Sequence, residues 1–237
     1  IKLVKSKLVK VSSGGMFNQI FSLQDKLYAV GLRKRFDWPT NTTILKVSEN
    51  GKLSLLEHSF DRNVVSVKTH NNEIFCLYED SGKTLLRNVS KKSTIIEEDI
   101  TIKDFNFMGD DLYVIANSFS RPDEIFKLVN GKLEKLSTTN EDFNNKVKTF
   151  DCAYHRIDTG QSAIDTWGIF VGKNKPTLLN IHGGPASQYG YTFFDEFQTY
   201  ASAGFNVIAC NPRGSTGRGH DFLRDVCGRK WGVNDVH

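Results

Sequence analysis

The feature that most constrains this chain is a repeat of short strands. Leu27-Tyr28, Ile74-Phe75 and Leu112-Tyr113 each follow a polar turn and open a run of β-branched and aromatic residues. Their separations are 74 − 27 = 47 and 112 − 74 = 38. A second mark, Asn-Gly-Lys-Leu, stands at 50–53 and again at 130–133, its glycines 131 − 51 = 80 apart, or two units of about 40. Runs such as KLYAVGL, TTILKVS, EIFCLYE, DLYVIAN and EIFKLVN, bounded by Asn, Asp, Gly and Ser, read as strands. Residues 1–150 carry no helical pattern. A unit of roughly 40–45 residues with four strands cannot cover both of its faces, so it must stack on neighbours, as propeller blades do. About three and a half units fit here, fewer than the roughly four to eight of closed rings. Residues 1–150 are therefore expected to be the C-terminal three to four blades of a β-propeller in an incomplete chain. A β-sandwich with chance self-similarity is the alternative.

After residue 150 the pattern changes. DTWGIFV (165–171), KPTLLNIH (175–182) and FNVIACN (205–211) read as strands, the second as an apolar run covered on both faces. TFFDEFQTYASAG (192–204) reads as a helix whose Phe193, Phe194, Phe197, Tyr200 and Ala201 share one face, and HDFLRDVCG (220–228) as a shorter one. Strand, helix, strand, helix predicts the first portion of a parallel α/β sheet over residues 151–237, its last strand left as an unpaired edge.

The strand at 177–181 runs into His182-Gly183-Gly184-Pro185. Glycines let a backbone approach a ligand closely, and two free N–H groups at a strand's carboxyl end can point at one oxygen. An α/β-hydrolase needs such donors where charge develops on an attacked carbonyl; losing one costs about 10²–10³ in rate. Pro185 has no N–H and stiffens the turn. A plain strand-to-loop break with glycines for packing is the competing reading.

The segments NIHGGPASQYG, ASAGFNVIACNPRGSTGRGHDF and KWGVND resemble the start of the peptidase domain of the prolyl oligopeptidase family, most closely its acylaminoacyl-peptidase and dipeptidyl-peptidase-like members. The resemblance is strong over 176–237, moderate over roughly 118–170, and architectural over 1–117. It implies a β-propeller ahead of an α/β-hydrolase domain, and a serine peptidase that cleaves short peptides through an acyl-enzyme. By the same resemblance Gly183 and Gly184 would line the oxyanion hole, with the Gly184 N–H the better single candidate. Arg213 would hold neighbouring loops by charge-assisted hydrogen bonds, with contact to substrate carbonyls as the sharper reading. Trp231 and Asp235 would be positional anchors, and His182 a packing and turn-shaping residue.

The nucleophile belongs in a G-x-S-x-G elbow, followed by the acid and then the histidine. No serine here has glycine both two before and two after it. Ser215 lacks the first and Ser162 the second. All six histidines precede any such serine, so the chain reads as a fragment ending before the triad and inactive alone. A non-catalytic, protein-binding propeller with a vestigial hydrolase portion is the alternative function. An esterase or lipase shares the turn but leaves the 40-residue repeat unexplained.

Composition excludes other classes. A net charge of +4 over 237 residues argues against a dedicated nucleic-acid surface. No apolar run reaches the roughly 20 residues of a membrane span, and the N-terminus is no signal peptide. Cys76, Cys152, Cys210 and Cys227 match no zinc or disulfide framework, so they are read as reduced, in a cytoplasmic protein. No cofactor or metal fingerprint is present, and the expected partner is a peptide substrate, with neither nucleic acid nor membrane. The loop LRKRFDWPT (32–40) interleaves cations and aromatics and reads either as a solvated hairpin tip or as a substrate-facing loop.

Overall fold

The computed structural model describes residues 2–4, 7–9, 14–34, 39–184 and 186–235. β1 (Lys2–Val4) and β2 (Lys7–Val9) pair antiparallel. Three four-stranded antiparallel meanders follow. The first is β3 (Met16–Leu23), β4 (Lys26–Leu32), β5 (Thr43–Val47) and β6 (Leu53–Leu55). The second is β7 (Asn63–His70), β8 (Glu73–Asp80), β9 (Lys83–Asn88) and β10 (Ser93–Ile96). The third is β11 (Thr101–Met108), β12 (Asp111–Ser118), β13 (Arg121–Val129) and β14 (Lys132–Lys135). A parallel bridge, Thr101 to Thr84, joins the last two. Among the described residues no ring closes.

The repeat extends deeper than the sequence marks. The meanders begin at residues 16, 63 and 101, again 63 − 16 = 47 and 101 − 63 = 38. In each first strand the register against the second slips by one residue, leaving Asn18, Val65 and Lys103 as bulges at the same two offsets. The two-residue turns that follow begin at Gln24, Asn71 and Gly109, all with positive φ (49°, 46° and 60°). The meanders stack face on face. Tyr28, Val30, Ile44, Val64, Val67, Ile74 and Cys76 fill the core between the first and second. Phe75, Leu77, Leu86, Ile102, Phe105 and Val114 fill that between the second and third. β3 and β11 escape the sequence reading because their bulges are polar, Asn18 beside Gln19 and Lys103 beside Asp104, and interrupt the apolar run, whereas the β7 bulge is Val65 and VVSVKTH still reads as a strand; β10 is short. The short helix α1 (Glu141–Lys146) was also not expected; it buries no residue and so has no amphipathic signature.

The last sheet contains β15 (Ala153–Asp158), β16 (Ala163–Ile169), β17 (Thr177–Asn180) and β18 (Asn206–Asn211), in the order β15-β16-β18-β17. β17 and β18 are parallel and are joined through α2 (Asp195–Ser202), as expected. Two expectations are corrected. β15–β16 and β16–β18 are antiparallel, so the sheet is mixed. The last strand is interior, because β18 inserts between β16 and β17, and β17 is the edge. Leu179 on β17 and Ile181 just after it are accordingly exposed rather than covered. Phe197 and Ala201 of α2 pack with Trp167, Val207 and Ala209, and Phe119 from the end of β12 joins the same core. A final short helix, α3 (His220–Arg224), follows. Among the described residues no helix is long and apolar enough to cross a membrane.

Candidate functional site

β17 ends at Asn180 and the chain turns through His182, Gly183 and Gly184. Both glycines are exposed, and Gly184 takes a φ of +136°, a conformation that side chains rarely adopt. Among the described residues neither glycine N–H has an acceptor. The His182 ring is held on two sides: Nδ1 lies 2.8 Å from the Gly183 carbonyl oxygen and Nε2 lies 3.0 Å from Ser215 Oγ. The Gly183 carbonyl can only accept, so the ring proton facing it sits on Nδ1; Ser215 Oγ also lies 2.7 Å from Pro212 O, and its single proton serves either that carbonyl or Nε2. Pro185 lies outside the described residues.

Beyond the turn the loop is tied down almost residue by residue. Ser187 O accepts from Thr216 N–H at 2.9 Å. Gln188 accepts from Gly82 N–H through Oε1 (3.1 Å) and donates from Nε2 to Lys83 O (3.0 Å). The backbone of Tyr189 exchanges two bonds with the buried Asn211 amide, at 2.7 and 2.8 Å. Tyr191 N–H donates to Gly82 O at 2.7 Å. The stretch that presents free donors is therefore the glycine pair itself, mounted on a fixed base.

The base is the loop 211–219. Arg213 is buried. Its Nε donates to Asn234 O (2.5 Å), its Nη2 to Gln161 Oε1 (2.8 Å), and its Nη1 lies 3.1 Å from Asp225 Oδ2. All three nitrogens thus hold neighbouring loops. Arg218 bonds Ala163 O and stacks over Phe222 at 4.2 Å. The backbone N–H of His220 donates to the Asp61 carboxylate (2.9 Å to each oxygen), and its Nδ1 meets Thr40 Oγ1 at 2.8 Å. Of the loop 32–40, residues 35–38 lie outside the described residues. Trp231, expected to be an anchor, is 58 % exposed, and Asp235 Oδ1 is buried without a partner among the described residues.

Ser215, Gln188 and Asp61 carry this arrangement and were not singled out as site residues from sequence. Gln188 reaches Gly82 across 106 residues and His220 reaches Asp61 across 159, and no local pattern records such contacts. The four cysteines are unpaired. Burial pushes the Cys76 and Cys152 thiols up to about 12, which removes them as nucleophiles. Among the described residues no cluster of His, Cys, Asp and Glu is placed to hold a metal.

The chain stacks antiparallel meanders ahead of a mixed sheet with a glycine turn at the carboxyl end of a strand that opens a parallel crossover. The family resemblance is to peptidases: residues 191–237 match the Prolyl oligopeptidase family. The uncharacterized peptidase YuxL of Bacillus subtilis (strain 168) is 30% identical over 162 residues, covering 63% of this chain and 24% of its own length. The acylaminoacyl peptidase of Pyrococcus horikoshii superposes with a TM-score of 0.79 at 26% identity, over 89% of this chain and 34% of its own. An acylaminoacyl peptidase in complex with Z-Gly-Gly-Phe-chloromethyl ketone superposes equally, with a TM-score of 0.79 at 25% identity over 89% and 34%. The chain thus spans about a quarter to a third of the length of these relatives.

Proposed function

We propose that this chain supplies the oxyanion turn of a serine peptidase that hydrolyses short peptides through an acyl-enzyme. In this reading the meanders are propeller blades over residues 1–150, and residues 151–237 begin an α/β-hydrolase domain. The observation that carries the reading is the pair of exposed, acceptor-free N–H groups at Gly183 and Gly184, on a fixed loop, in a chain similar to prolyl oligopeptidase family members. When a serine Oγ adds to the scissile carbonyl, negative charge moves onto the carbonyl oxygen. The Gly184 N–H, with Gly183 beside it, stabilises that charge most strongly where it is greatest, in the transition state. Collapse expels the amine and leaves the acyl-enzyme, which water then hydrolyses. The serine is not among residues 1–237, since none carries the flanking glycines of an elbow.

Arg213 acts here as a clamp between loops through all three of its nitrogens; a bond to a substrate carbonyl would use one of the two N–H groups these contacts leave over. The blades limit access to short or unfolded peptides. The reading is supported by the peptide-derived chloromethyl ketone held by the acylaminoacyl peptidase above. The unpaired thiols support placement in the cytoplasm. The test is hydrolysis of N-acylated and free-amino peptide p-nitroanilides by the full-length gene product. Turnover of either set supports the peptidase. No turnover of either, with retained binding of a protein partner, replaces it with the non-catalytic binding module.

A further inference from the structure

Three consecutive residues of the loop 211–219 each reach a different part of the site. Ser215 Oγ meets His182 Nε2, Thr216 N–H bonds Ser187 O, and Gly217 O accepts from Ser81 N–H at 2.9 Å. They grip the glycine turn before and after its free stretch and fasten it to the β8–β9 hairpin. Ser215 is 1 % exposed, so its hydroxyl is no nucleophile for an external substrate. Its Oγ also lies 2.7 Å from Pro212 O.

We propose that Ser215 is a positioning residue for the Gly184 N–H, acting through His182, and that Gln188 fixes the same loop to the Ser81–Lys83 hairpin. The Gly183 carbonyl can only accept, so His182 Nδ1 carries the proton that meets it, while Nε2 is held by Ser215 Oγ, whose one proton serves either Nε2 or Pro212 O. A trans peptide is planar, with its C=O and N–H pointing opposite ways. Pinning the Gly183 carbonyl to the ring therefore directs the Gly184 N–H away from it, into the open. A Cβ at Gly183 would meet no atom within 4 Å, so on that side the ring contact is the restraint, while on the other a Cβ at Gly184 would meet Ala186 N at 2.9 Å. If the ring becomes protonated, Nε2–H donates to Ser215 Oγ and the hydroxyl turns to Pro212 O, so the anchor survives in both states.

Gln188 adds the long-range part. Its amide bonds Gly82 and Lys83, beside the Tyr191 N–H bond to Gly82 O, and a Cβ at Gly217 would lie 2.3 Å from Gln188 Oε1.

The catalytic consequence rests on the peptidase reading; the conformational one does not, and the test separates them. In the full-length gene product labelled with 15N-glycine, the Gly184 amide should show an order parameter near that of rigid backbone, about 0.85. In Ser215→Ala it should fall to about 0.6 or below. His182→Ala, at a half-buried position, is the second variant should Ser215→Ala fold poorly, and should do the same. In peptide hydrolysis Ser215→Ala should lower kcat about 10-fold with KM within about 2-fold, and weaken a peptide boronate by the same factor as kcat/KM. It should add nothing in the His182→Ala background. An unchanged Gly184 order parameter in both variants overturns the proposal, as does wild-type kcat in an active enzyme carrying Ser215→Ala. A lowered order parameter in a protein that hydrolyses no peptide supports the positioning and removes the peptidase reading alone.

Discussion

Gly82 and Gly190 meet backbone to backbone: a Cβ built on Gly190 would lie 1.8 Å from the Gly82 carbonyl oxygen, and one built on Gly82 would lie 2.3 Å from Trp167 Cζ2. The hairpin between β8 and β9 thus presses directly on the loop that follows the glycine turn, with no room for a side chain on either partner. Gly190→Ala should force the two segments apart and cost about 3 kcal/mol, the upper end of overpacking effects. Gly160→Ala, where no atom lies within 4 Å, should cost only the left-handed penalty of about 1 kcal/mol. Denaturant midpoints of the two variants measure the difference; equal losses would remove the close approach as a determinant of stability.

The alkaline limb of stability should involve Tyr154. Burial, and then the hydrogen bond from its hydroxyl to Asp165, push this phenol up to about 12. The sign follows from the direction. The folded state favours the neutral phenol, so its contribution is complete below the unfolded value near 10 and is lost as pH rises towards about 12. Absorbance titration of the tyrosines should show late-ionising groups, Tyr191 among them, and should lose one of these in Tyr154→Phe, whose stability should fall less steeply over that range. A titration identical to wild type would contradict the assignment.

The exposed edge of the last sheet should make the 237-residue chain self-associate. β17 has a single neighbour, β18, and Leu179 and Ile181 are 58 % and 74 % exposed. Analytical ultracentrifugation should show association that the double variant Leu179→Lys, Ile181→Lys reduces. A monomer at high concentration without the substitutions would refute this.

What could be read in the sequence was local. The offsets between Leu27, Ile74 and Leu112 return in the structure as the offsets between strands, bulges and turns, because each meander is specified by its own turn residues and alternation. The strand KLYAVGL coincides with Lys26–Leu32. The first strands β3 and β11 were illegible because a polar bulge, Asn18 or Lys103, interrupts the apolar pattern, whereas β7, bulged at Val65, stayed legible. The place of β18 between β16 and β17 was illegible because strand order is a long-range property. The glycine turn was legible as a break in a strand. Its supports were not, since Ser215, Gln188 and Gly82 lie in three separate segments and are brought together only by the docking of the second meander.

The most direct test of the account is a fluorophosphonate probe followed by peptide mapping, applied to the full-length gene product and to the 237-residue chain. The account predicts modification of one serine outside residues 1–237 in the former and none in the latter, since Ser215 is buried and bonded and no serine here sits in an elbow. Stoichiometric modification of Ser215, or of any other serine among residues 1–237, would contradict it.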